Sequence, residues 1–101
     1  MYILIINFKA DIAPDEYEEI AGKDAPIFAN IPGLKHKYFL FNHETKIFGG
    51  CYLWEDKTSL DAYKAGEIYK SITNNPDFEN VTTSEFEVHE QASLTQEKMK
   101  N

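Results

Sequence analysis

A single cysteine, Cys51, leaves no partner for an intramolecular disulfide and cannot supply a cysteine-based zinc cage. No apolar run approaches the length that a membrane helix needs. The Tyr2–Ile6 stretch is too short for a signal-peptide core and lacks a basic leader, so a cytoplasmic protein is expected. Basic residues number 10 against 17 acidic ones, for a net charge of −7. That balance disfavours nucleic acid and anionic membranes, which attract clustered Lys and Arg, and it is also ordinary for a soluble cytoplasmic protein. Gly49-Gly50 lacks the lysine and hydroxyl residue that would complete a phosphate loop. His36, His43 and His89 have no metal-ligand spacing, so no metal site is expected. Repeats and linkers are absent, and 101 residues make one domain, with residues 1–89 as its body and 90–101 as a polar tail.

What the chain has is aromatic surface. Seven Phe, six Tyr and one Trp exceed what one small core uses, and the surplus is suited to a pocket or a subunit interface. The organising stretch is Ile47–Tyr63. Its apolar first half reads as a buried strand, and its second half starts a helix almost without a loop. Gly49 and Gly50 weaken that strand unless a bulge, a backbone or a ligand needs the space.

Taken in order, Tyr2–Phe8 is a β-branched apolar run covered on both faces, a strand. Pro14, Asp15 and Glu16 open a helix that carries Tyr17, Ile20 and Ala21, and Pro26 is expected to kink or restart it. Ile31-Pro32-Gly33 is a turn. Leu34–Phe41 is a second strand, with Leu34, His36, Tyr38 and Leu40 on one face and Lys35, Lys37, Phe39 and Phe41 on the other. A polar connector, Asn42–Thr45, leads to a third strand, Lys46–Glu55, paired antiparallel with the second. Asp56 or Thr58 caps a helix that Gly66 divides, and Val81–His89 is the last strand, with Phe86 and Val88 sharing a face. The tail from Glu90 is a short helix, a segment lying on a partner, or disordered.

The order β-α-β-β-α-β is the ferredoxin-like α+β arrangement, a four-stranded antiparallel sheet with both helices on one face. The other face then keeps apolar residues in every strand, more than a soluble monomer usually exposes. A two-fold homodimer packed sheet to sheet solves that problem.

Pro32-Gly33, Lys37, Gly49-Gly50 with Tyr52-Leu53, then Asp56, Ser59, Ala62 and Tyr63 form a pattern that resembles the YdhR-type monooxygenases. These belong to the dimeric α+β barrel superfamily, with the antibiotic-biosynthesis monooxygenases. The resemblance implies a homodimer with a pocket between sheet and helices. It also implies oxidation of a small aromatic or polycyclic substrate without metal or flavin. The pattern departs at His36, where a relative in the family carries a Trp. Haem-degrading relatives in the superfamily use an Asn on the first strand, then a Trp and a His around the second helix. Asn7 matches the first, but Tyr63 and Thr73 occupy the other two positions, which argues against that chemistry.

A cofactor-free oxygenase must bind an electron-rich molecule, help remove a proton and exclude water. His36 is a candidate for proton removal, with a hydrogen-bonded or half-exposed strand residue as the structural alternative, and Asn7 for orienting the ligand or an oxyanion, with a strand-end residue turned toward solvent as the alternative. Tyr38, Tyr52, Trp54, Tyr63 and Tyr69 are candidate walls of a substrate pocket, with core packing or dimer contact as the alternative. Cys51 reads as a buried small hydrophobe. The Glu85–Glu90 cluster reads as a solvated face. Three functions compete in this order: a cofactor-independent monooxygenase of a small aromatic or quinol-like compound, a non-catalytic module that binds a hydrophobic ligand, and a purely structural dimer.

Overall fold

The computed structural model describes residues 1–93. Tyr2–Lys9 forms β1, Pro14–Ala29 α1, Leu34–Asn42 β2 and Ile47–Trp54 β3. Lys57–Lys64 forms α2, Glu67–Thr73 α3 and Glu79–Glu87 β4. The strands make one antiparallel sheet in the order β2-β3-β1-β4, and the helices cover one face, as the ferredoxin-like reading requires. Among the described residues, no helix is long and apolar enough to cross a membrane.

Alternation along the strands decides what meets the helices. Leu4 and Ile6 of β1, and Phe48, Tyr52 and Trp54 of β3, are buried beneath them. Two clusters result. Leu4, Ile6, Tyr52 and Trp54 pack with Phe28 of α1 and with Leu60 and Tyr63 of α2. Ala10, Tyr17 and Phe48 form a second cluster, which Phe8, Phe39 and Phe78 join.

The helices begin where local chemistry directs. Pro14 sits in the first turn of α1 with Asp15 and Glu16 behind it. Asp56, not Thr58, caps α2: its Oδ1 accepts the Ser59 N–H at 2.8 Å, and that bond holds its carboxyl below the usual carboxylate range. Gly66 separates α2 from α3 as expected.

Three expectations are corrected. Helix α1 does not restart at Pro26 but continues to Ala29. The proline lies in the last turn, Asn30 Nδ2 donates to its carbonyl at 3.0 Å, and burial of Phe28 holds that turn against the core. Leu34 does not share a face with His36, because the β2–β3 register slips between them and turns Leu34 onto the first cluster. Strand β4 is displaced two residues toward the N-terminus of the expected span. Its partner sets its length: β1 pairs from Lys9 opposite Glu79 to Tyr2 opposite Glu87. Val88 therefore lies beyond the strand, its N–H donating to the Met1 carbonyl, and His89 Nδ1 accepts from Ala92 N at the start of a helical turn over Glu90–Ser93. The rest of the expected tail, residues 94–101, lies outside the described residues.

The central strand pair depends on a missing side chain. Gly49 pairs with Asn7, and a Cβ there would overlap the Ile6 carbonyl oxygen and sit 2.7 Å from Asn7 Oδ1. Gly49→Ala is therefore expected to destabilise the fold by about 1–3 kcal/mol, read as a lowered urea midpoint with an unchanged slope. An unchanged midpoint would show that β1 and β3 yield at this point.

Candidate active site

Between the helix-facing side of the sheet and α1 lies a cavity of about 490 Å³. That is the size of a small-molecule site. The walls are aromatic and aliphatic: Ile6 and Phe8 of β1, Phe39 of β2, Phe48 and Tyr52 of β3, and Tyr17 and Ile20 of α1. Ile72 of α3 and the loop from Asn75 to Phe78 close one side, where the Phe78 ring stacks on Phe8 with centroids 3.8 Å apart. Four carboxylates, Asp11, Glu16, Asp24 and Asp77, complete the lining. Asp11 is held by Lys46 at 2.9 Å.

Among the described residues, one cation reaches this lining, Lys37. Alternation puts it on the helix-facing side of β2 with Phe39, and its stem crosses the sheet above Gly50. A Cβ at Gly50 would lie 3.0 Å from Lys37 Cε and 2.8 Å from the Tyr52 ring, so the missing side chain makes the room. The ammonium lies 3.4 Å from the Phe28 ring centre, 4.0 Å from Phe39 and 4.8 Å from Tyr52. Burial among these rings pulls its pKa down to about 8, and the Asp24 carboxylate opposes that shift. At neutral pH about a tenth of Lys37 is the free amine. The Tyr52 hydroxyl is pushed the other way: burial, then the neighbouring Tyr63, raises its pKa, so it stays a neutral phenol. The site thus combines an apolar, aromatic interior with an amine close to its own titration point.

Of the seven residues that the sequence nominates, only Tyr52 lines the cavity. Asn7, His36 and Tyr38 point from the opposite face of the sheet: Asn7 alternates with Ile6 and Phe8, and His36 and Tyr38 with Lys37 and Phe39, all of which line the cavity. Tyr38 is 60% exposed and its ring meets His36, with centroids 4.3 Å apart. Trp54 and Tyr63 lie in the core behind Tyr52, and Tyr69 packs edge-on against Tyr63. Cys51, also on the open face, has its thiol raised by burial and held protonated. Sequence reasoning overlooked Lys37. The signal was present: a lysine that alternates with Phe39 and Phe41 on one strand face.

None of the three histidines lines the cavity, so its residues offer no imidazole nitrogen to a haem iron. Among the described residues, no group of His, Cys, Asp and Glu side chains is arranged to hold a metal ion.

The sequence matches the family model described as "Putative mono-oxygenase ydhR" over residues 3–98. The chain belongs to this family. It is an oxidoreductase of monooxygenase type on that ground. A search of curated proteins gives no match. The fold is similar to that of SnoaB, a cofactor-independent oxygenase from Streptomyces nogalater: 18% identity, 87% of this chain and 92% of that one covered, TM-score 0.65. It is also similar to an antibiotic biosynthesis monooxygenase from Deinococcus radiodurans, so described with the qualifier "putative", at 10% identity, 87% and 92% coverage and TM-score 0.68. A third similar structure is the heme-degrader MhuD from Mycobacterium tuberculosis with two hemes bound, at 20% identity, 88% and 96% coverage and TM-score 0.67. These likenesses establish the fold that this family member shares with them.

The buried amine couples stability to pH. Its folded pKa of about 8 lies below the ordinary lysine value, so the unfolded chain binds the extra proton between the two. Stability contributed at this position therefore rises as pH increases from about 8 toward 10. Lys37→Met is expected to remove that rise and to stabilise the protein at pH 7 by about 1 kcal/mol. Urea unfolding of both proteins at pH 7 and 9.5 checks it, and parallel pH dependences would show that the amine is solvated.

Proposed function

We propose that the protein oxidises a small aromatic or quinol-like substrate with molecular oxygen, in the cavity between sheet and helices, without metal or flavin. The observation that carries this reading is the Lys37 amine set among the aromatic walls of a cavity of about 490 Å³. Membership of the monooxygenase family and the likeness to a cofactor-independent oxygenase support it.

The chemistry asks little of the protein. With an anthrone as substrate, free Lys37 amine takes a proton from the acidic methylene. The carbanion passes one electron to oxygen, and the resulting radical pair joins to form a C–O bond. The peroxide then loses water to leave a carbonyl. Methylene plus oxygen thus becomes carbonyl plus water, and Lys37 returns its proton as the water leaves. The aromatic walls bind the planar substrate and exclude water from the carbanion. Asn7 and His36 have no part in this scheme.

Anthrone is expected to drive oxygen uptake by metal-free protein, and Lys37→Met to slow it roughly 100-fold. Asn7→Ala and His36→Ala should retain the wild-type rate. Trp54 stacks on Tyr52 at 6.4 Å behind the cavity wall, so its emission reports ligand entry independently of turnover. Quenching without oxygen uptake would overturn the oxygenase reading in favour of a module that binds a hydrophobic ligand.

The reading extends to a homodimer. Tyr38, Phe86, Ile47 and Leu40 are 60%, 55%, 45% and 38% exposed, and all lie on the sheet face that carries no helix. Ile3, Ile5 and Leu53 continue the same surface. Two copies packed across this face bury it, with Asn7 and His36 near the seam. Sedimentation should give a dimer, and Tyr38→Glu with Phe86→Glu a monomer. A wild-type monomer at micromolar concentration would refute the assembly.

A further inference from the structure

Lys37 differs from the other described lysines in its surroundings. Lys46, Lys57 and Lys64 hold ion pairs with Asp11, Asp61 and Glu85, while Lys9, Lys23, Lys35 and Lys70 are exposed to solvent. Lys37 Nζ has neither a hydrogen bond nor an ion pair among the described residues; its neighbours are the rings of Phe28, Phe39 and Tyr52. A primary amine that faces a largely aromatic cavity and is held by no ion pair is a nucleophile as well as a base.

We infer that Lys37 captures aromatic aldehydes and ketones inside the cavity as an imine. The free amine attacks the carbonyl carbon, forming the C–N bond while the carbonyl π pair moves to oxygen. Proton transfer from nitrogen to oxygen gives the carbinolamine. It loses its hydroxyl and the second N–H proton as water, leaving C=N. Amine plus carbonyl becomes imine plus water, with no oxidant or reductant consumed.

Three features favour this product here over a surface lysine. A neutral imine replaces an ammonium that the surrounding rings desolvate, so capture relieves the burial of charge. The aryl group of the ligand meets the aromatic walls of Phe39, Phe48 and Tyr52. The space above Gly50 leaves the lysine stem unobstructed on its sheet side. The inference shares its cavity and its amine with the oxygenase reading but requires no oxygen, so each can fail without the other.

The test uses the full chain under argon with 2-naphthaldehyde and sodium cyanoborohydride, which reduces the imine to a stable amine. Peptide mapping by mass spectrometry then locates the adduct. Lys37 should be labelled about tenfold faster than Lys35, its exposed neighbour on the same strand, because the aromatic walls hold the aldehyde beside its amine. Excess 2-naphthol should slow labelling of Lys37 alone by occupying the cavity. Lys37→Met should lose the fast adduct with no other lysine taking it up. Equal labelling of Lys35 and Lys37, or no protection by 2-naphthol, would overturn the inference on the wild-type protein itself. An unlabelled Lys37 in a protein that consumes oxygen with anthrone would overturn it while leaving the oxygenase reading intact.

Discussion

The missing side chain at Gly50 is the constraint on which the candidate site rests. Strand β3 is otherwise lined on its helix side by Phe48, Tyr52 and Trp54, three of the largest buried side chains of the fold. A fourth side chain between Phe48 and Tyr52 would fill the space that Lys37 and the Tyr52 ring occupy. The strand accepts a residue of poor β-propensity at its centre and gains a hollow in its core. Beside it, Gly49 keeps β1 and β3 in close register by clearing the Ile6 carbonyl. The two glycines therefore have separate tasks, one toward the cavity and one toward the neighbouring strand.

Around that hollow the sheet divides its labour by face. The helix side is closed at one end by the cluster of Leu4, Trp54, Leu60 and Tyr63, which has no charged member. The other end, where Tyr17, Phe48 and Phe78 meet, is the end that carries acidic residues and the cavity. A lysine among rings costs stability because the Asp24 carboxylate offsets only part of its desolvation. Such a cost is characteristic of sites where a shifted proton affinity serves chemistry rather than folding.

The element order and the antiparallel sheet were legible because apolar alternation, Pro14, Asp56 and Gly66 all pointed the same way. The side of the sheet that faces the helices was not. In β1, Ile3 and Ile5 are as apolar as Leu4 and Ile6, so alternation separates two faces without saying which one the helices choose. Asn7 and His36 are of types that suit catalysis, but their side chains leave from the face opposite the cavity. Lys37 was written in the same strand on the correct face with Phe39. What singles it out is the approach of Phe28 from α1, a contact between residues far apart in the chain that no local pattern encodes.

Helix α3 has a different character from the rest of the helical layer. It spans Glu67–Thr73, contains no buried residue, and is cut from α2 at Gly66, yet its Ile72 and the loop behind it close one side of the cavity. Its hydrogen bonds are short-range and its packing is through the partly buried Tyr69 and Ile72. Such a segment belongs to the low-stability end of a protein, opening far more often than the strands beneath it. Hydrogen exchange at Ile68–Thr73 and at Leu4–Ile6 reads the opening of that helix and of the sheet separately.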